Sequence, residues 1–106
     1  MEELADLIRE DLGLRDGLSE KRMFGGVAFM VDGNMLAGVL SGGAIYRVGK
    51  EGVEAALALE GVERMQMGAR TMGGYVVLNA EGMSDPAQRE ALLQMALAFH
   101  ATLPRK

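Results

Sequence analysis

Leu4, Leu7, Ile8 and Leu12 recur at helical spacing near the start of the chain, while Glu2, Glu3, Asp6, Arg9 and Glu10 occupy the rest of the wheel. The pattern predicts an amphipathic helix of about three turns over residues 2–12. Gly13 suits a left-handed cap at its end, which would let Leu14 fold back onto the last turn. Residues 15–21 are polar and read as a connection.

From residue 22 the period shortens. Residues 27–31 and 34–40 are two apolar runs joined at Asp32-Gly33, a strong hairpin signal because both turn positions need positive φ. Gly25-Gly26 interrupts the hairpin's first strand between 22–24 and 27–31, predicting a bend that turns Met23 and Phe24 into the core or a close approach by another backbone. Residues 41–43 make another tight turn into a third strand over 44–48, completing an antiparallel meander. Within it Arg47 falls on the face opposite Tyr46 and Val48.

Residues 49–60 return to a helical pattern through Val53, Ala56 and Leu57, ended near Gly61. Residues 62–68 alternate weakly and allow a short edge strand; 69–74 read as an ordered loop. Residues 75–78 form a buried strand on their β-branched and aromatic content, and 79–82 a turn. Asp85, Pro86 and Gln88 then resemble a capping box at the start of a helix of about four turns with Leu92, Met95, Ala96, Phe99 and Leu103 on one face. Pro104 stops it, and Arg105 and Lys106 leave a cationic tail near the negative end of its dipole. The fold class expected is α+β in a single domain over residues 1–106. Its antiparallel sheet has about four to five strands, with an N-terminal helix, a short middle helix and a longer C-terminal helix.

Composition narrows the chemistry more than the fold. Of 106 residues 49% are hydrophobic and 25% charged, ordinary for one globular domain. With no cysteine there are no disulfides, thiolate metal sites or cysteine nucleophiles. Fifteen acidic and eleven basic residues leave a net charge of −4 with no basic stripe, so direct nucleic-acid binding is not expected. Apolar runs such as 27–31 are five residues long, against the ~20 a bilayer span requires, and the acidic start is unlike a signal peptide. A cytoplasmic protein without membrane contact is expected.

Neither enzyme nor metal chemistry finds its residues. His100, the one histidine, lies in the last turns of the terminal helix without a nucleophile or base beside it and reads as a capping or solvated residue. Scattered carboxylates give no metal-ligand spacing, and no cofactor motif is present: 25–26 lacks the flanking pattern of a phosphate loop. Met65 and Met67 form an M-x-M pair that Cu(I) would accept. Met23, Met30, Met35, Met72 and Met95 all fall in apolar contexts, which favours core packing for the nine methionines.

Three motifs in order carry a resemblance: Arg22-Met23-Phe24-Gly25-Gly26, then 29–36, then Ile45-Tyr46-Arg47-Val48-Gly49. It continues through 70–77 and the ending 98–104. So arranged, the chain resembles the N-terminal domain of the TfoX/Sxy family of competence regulators. The resemblance implies a small α+β domain with packed helices and no catalytic residues. Full-length members carry a further C-terminal domain and act in transcription of DNA-uptake genes alongside a cyclic-AMP receptor type activator.

The expectation is therefore a stand-alone, non-enzymatic adaptor that contacts a protein partner, a transcription activator being the first choice. Its contact surface would be the solvent side of the sheet with Arg22, Arg47, Arg70 and Tyr75, since Arg and Tyr are enriched at interface hot spots. Two alternatives stand beside it: a sensor or minor enzyme using 64–74 as a mobile flap over an anion site, and direct DNA binding. Unpaired edge strands leave a homodimer open.

Overall fold

The computed structural model describes residues 2–23, 25–40, 42–67 and 69–104, and within these not the side chains of Glu2, Met23, Met67 and Arg70. The element order is α1 (Glu2–Leu12), β1 (Leu18–Met23), β2 (Gly26–Val31), β3 (Asn34–Leu40), β4 (Gly43–Arg47), a 3-10 turn (Lys50–Gly52), α2 (Val53–Leu57), β5 (Val62–Met67), β6 (Arg70–Asn79), α3 (Ala80–Met83) and α4 (Pro86–His100). All strand pairs are antiparallel, in the order β1-β2-β3-β4-β6-β5. The α+β class holds, with six strands.

Where the strand pattern was strong, expectation and structure agree. Asp32 (φ 53°) and Gly33 (φ 83°) both turn left-handed between β2 and β3, and Gly13 (φ 61°) closes α1 with its amide on the Arg9 carbonyl. Gly25 (φ 74°) turns β1 into β2, and a Cβ on Gly26 would collide with the Val39 carbonyl oxygen, so that glycine permits the close approach of β3. Phe24, Ser41, Arg105 and Lys106 carried expectations about the core, a turn and the tail that lie outside the described residues, as does the side chain of Met23.

Where the pattern was polar, it misled. The expected connection over 15–21 ends in the edge strand β1, whose exposed residues are held by main-chain pairing to β2 rather than by burial. Leu14 is fully exposed and does not fold back. Of the expected loop over 69–74, residues 70–74 are the first half of β6, paired with β5 through Gln66↔Thr71 and Met67↔Arg70. Residues 64–67 and 70–71 are therefore joined by the β5–β6 ladder. The middle helix is shorter than 49–60, and in place of a turn over 79–82 the chain ends β6 at Asn79 and enters α3, capped by Asn79 Oδ1 accepting from the Gly82 amide at 2.7 Å.

Every buried apolar residue of the helices shares one core with alternate strand residues. Ala5, Ile8 and Leu12 of α1, Val53 and Ala56 of α2, Met83 of α3, and Leu92, Leu93 and Ala96 of α4 meet Phe29, Val39, Tyr46, Val76 and Leu78. Ala28, Ile45 and Met65 are buried outside that core, on the sheet's second face. Both sheet edges, β1 and β5, carry charged residues, which discourages edge-to-edge pairing.

Arg9 ties α1 to β1. Its Nε and Nη2 donate to the two Glu20 oxygens at 2.8 Å each, and its Nη1 to Asp6 at 2.7 Å. The Arg9 bond holds the Glu20 carboxyl below its usual range. A carboxyl so depressed adds stability above the ordinary carboxylate pKa and loses it as pH falls through the folded value. Because the pair is 38% exposed on both sides, Glu20→Gln is expected to cost only about 0.5 kcal/mol at neutral pH. Urea titrations of both proteins should converge in strongly acidic buffer; a gap that widens there would refute the assignment.

Candidate functional site

The site forms where β4 ends. Beyond Arg47 the chain leaves the sheet through Val48 and Gly49, whose amides both donate to the Gly74 carbonyl, at 2.9 and 3.0 Å. Gly49 (φ 81°, ψ 156°) and Gly74 (φ 86°) both adopt conformations that disfavour side chains. The need at Gly49 is also steric: a Cβ there would collide with Phe99 Cδ1 and stand 2.8 Å from Cε1. Phe99 of α4 thus packs against the backbone at the strand end. Gly74 in turn lets β6 approach Gly49, since its own Cβ position is 3.4 Å from the Gly49 Cα.

Arg47 projects into this corner. Its guanidinium carbon is 5.6 Å from the Tyr75 ring centroid and 5.4 Å from that of Phe99. Tyr75 is its direct cross-strand partner, and the two rings favour the cation through their quadrupoles. Between β4, β6 and α4 runs a cleft of about 760 Å³, walled by Val48, Met95, Ala98 and Phe99, with Gly73 and Gly74 along one side and Lys50 and Glu51 at its rim. Gly73 leaves room for the Lys50 stem, whose Cε is 3.4 Å from the Cβ position.

Partner charges set Arg47 apart from the other arginines that are not fully exposed. Arg89 donates to Asp11 at 2.9 Å and half-buried Arg9 to Asp6 and Glu20, while exposed Arg64 holds Glu54. Among the described residues no carboxylate pairs with Arg47.

Of the expected surface, the structure brings together Arg47 and Tyr75. Arg22 is exposed on β1, three strand positions from β4, and alternation from Val27 places it on the helix-bearing face. Arg70 has its backbone at the β5–β6 hairpin, and its side chain lies outside the described residues. His100 is neither a cap nor solvated: its Nε2–H donates to the Val31 carbonyl at 2.8 Å, tying the end of α4 to β2. Asn34 Nδ2 adds a second tie, to the Pro104 carbonyl at 2.9 Å. These bonds press the last turn of α4 against the strand ends and so position Phe99.

The TfoX N-terminal domain family matches residues 10–100, which run from the last turn of α1 to the end of α4 and include the whole sheet and the cleft lining up to Phe99. The chain belongs to the TfoX N-terminal domain family. No curated protein and no solved structure matches it. Within this family domain the Ile45–Gly49 motif that carries the resemblance is the end of β4 and the wall of the cleft, so its glycine answers to the Phe99 ring. No helix among the described residues is long and apolar enough to cross a membrane. Nor do those residues place three His, Asp or Glu side chains where they could hold a metal ion.

Phe99, Lys50 and Met95 were not expected at a site. On the helical wheel Phe99 and Met95 align with Leu92 and Ala96 and pass for core. Only the docking of α4 separates them, with Leu92 and Ala96 fully buried and Met95 and Phe99 half-exposed in the cleft.

Proposed function

We propose that this TfoX N-terminal domain protein is a non-enzymatic regulatory module acting through protein–protein contacts in transcription regulation, and that a partner docks on the second face of its sheet. The observation that supports this is the apolar character of that face. Around buried Ala28 and Ile45, both 1% exposed, stand half-exposed Met30, Met35, Leu40 and Val77, and the helices add no buried residue there. Such a contiguous apolar surface is a docking signal, and thioether side chains adapt to a partner's shape. Arg47 and Tyr75 border it, two residue types enriched at interface hot spots. A net charge of −4 favours a protein partner over DNA.

A photo-crosslinking residue at Met35, with one at exposed Glu90 on α4 as control, tests the proposal in living cells. The expected product at Met35 is a protein of the transcription apparatus, absent from the Glu90 control and lost on Val77→Lys. Equal capture from both positions, or capture that survives Val77→Lys, would refute the surface. A partner unconnected with transcription would refute the role. A mobility shift with steep salt dependence would favour the DNA reading instead.

A further inference from the structure

We propose that the cleft at the end of β4 binds a small organic carboxylate with an apolar body, the carboxylate on Arg47 and the body against Phe99, Met95 and Val48. Three observations carry this. The volume, about 760 Å³, lies in the range of small-ligand sites and is larger than a solvent channel between packed side chains requires. Arg47 is half-buried with its guanidinium carbon over two rings and, among the described residues, without a carboxylate partner. A partly desolvated guanidinium is best satisfied by a bidentate acid, and the planar fork fits a carboxylate edge.

The third observation is the asymmetry of the rim. Lys50 supplies a second cation on the lip beside Gly73, while its neighbour Glu51 also lines the cleft. A monoanion can approach Arg47 and Lys50 and tolerate one carboxylate nearby. A phosphate dianion meets stronger repulsion from Glu51 and gains nothing from the apolar walls, so a carboxylate with an apolar body is preferred. The walls away from Arg47 are apolar, which adds affinity for a hydrocarbon or aromatic body and little for a bare anion.

Isothermal titration with 3-phenylpropionate, its neutral amide 3-phenylpropanamide, propionate and inorganic phosphate tests each part on the intact chain. The acid is expected to bind with a dissociation constant at or below about 1 mM. The amide should bind about tenfold or more weaker, because one charge-assisted pair is lost, and propionate should be weaker than 3-phenylpropionate because it lacks the body. Arg47→Met should abolish the preference for acid over amide, Arg47→Lys should keep part of it, and Lys50→Met should reduce it less than Arg47→Met does. If Arg47→Met fails to fold, the comparison of Arg47→Lys and Lys50→Met with the ligand series decides alone. Equal affinity for acid and amide, tighter binding of phosphate, or no heat from the acid would overturn the proposal. So would tight binding of an acetylated peptide containing Phe-Glu with none of the free acid, since the cleft would then belong to a protein segment.

Discussion

Gly49→Ala is expected to cost about 3–4 kcal/mol of stability, the sum of a left-handed extended backbone forced on a side chain and of overpacking against a ring. The two costs are separable. At φ 81° and ψ 156° the backbone tolerates little but glycine, whatever surrounds it. The collision with Phe99 Cδ1 is additional, and Phe99→Leu should relieve part of it. The double variant should therefore recover about 1–2 kcal/mol relative to Gly49→Ala in urea unfolding and no more. Full recovery would mean that the backbone conformation carries no cost. A loss below about 1 kcal/mol in the single variant would mean that β4 can leave the sheet by another path. Any displacement of Phe99 also removes one of the two rings beside Arg47, so the folded fraction of Gly49→Ala should lose acid binding before it loses the fold.

The fold was legible wherever burial imposed a period. The β2–β3 hairpin, α1 and α4 were read from apolar alternation and capping residues, because in each the face toward the core is continuous. β1 was missed because Ser19, Glu20, Lys21 and Arg22 are all exposed: an edge strand held by its ladder needs no apolar face, and its formation depends on β2 being present. The start of β6 was missed too, where Gly73 and Gly74 read as loop although Gly74, at φ 86°, lies within the strand and its carbonyl accepts from the Val48 and Gly49 amides. Gln88, read as the second half of a capping box, instead donates to the Glu60 carbonyl at 2.6 Å, while Asp85 caps the Ala87 amide at 2.9 Å. Local spacing identified the residue and tertiary structure chose its partner.

The site was legible by half. Strand alternation was enough to set Arg47 apart from Tyr46 and Val48, and pairing with Tyr75 followed from two strands side by side. Phe99 could not be found that way, because the angle at which α4 docks decides whether a wheel position reaches core or cleft. The ties that set this angle, His100 to Val31 and Asn34 to Pro104, join residues 69 and 70 positions apart. Methionine usage misled for a related reason. Met30, Met35, Met72 and Met95 are half-exposed, placed at the second sheet face, on β6 and at the cleft; Met65 is buried outside the core, and Met83 is buried in it as core packing predicts.

Asp11→Ala is expected to cost about 2–3 kcal/mol, although helix electrostatics taken alone would make it mildly favourable. Asp11 lies in the last turn of α1 and Arg89 in the first turn of α4, so each charge sits at the end of its helix that repels it. Their retention is explained by each other: Arg89 Nε donates to Asp11 at 2.9 Å, with side chains 12% and 21% exposed, and Arg89 Nη1 donates to the Met83 carbonyl at 2.7 Å. One guanidinium thus joins α1, α3 and α4 above Tyr46. Burial first, and the Asp11 carboxylate second, hold the Tyr46 hydroxyl protonated well above its usual range, with Arg89 opposing. Removing Asp11 leaves a nearly buried cation without its acid. Asp11→Ala with Arg89→Met removes that orphan and should restore about half of the loss, the remainder being the unpaired Met83 carbonyl. Urea midpoints at constant m-value for the two singles and the double give the coupling directly. A double variant as unstable as the sum of the singles would show that the pair acts as two independent surface charges and that the helices are joined by the apolar core alone.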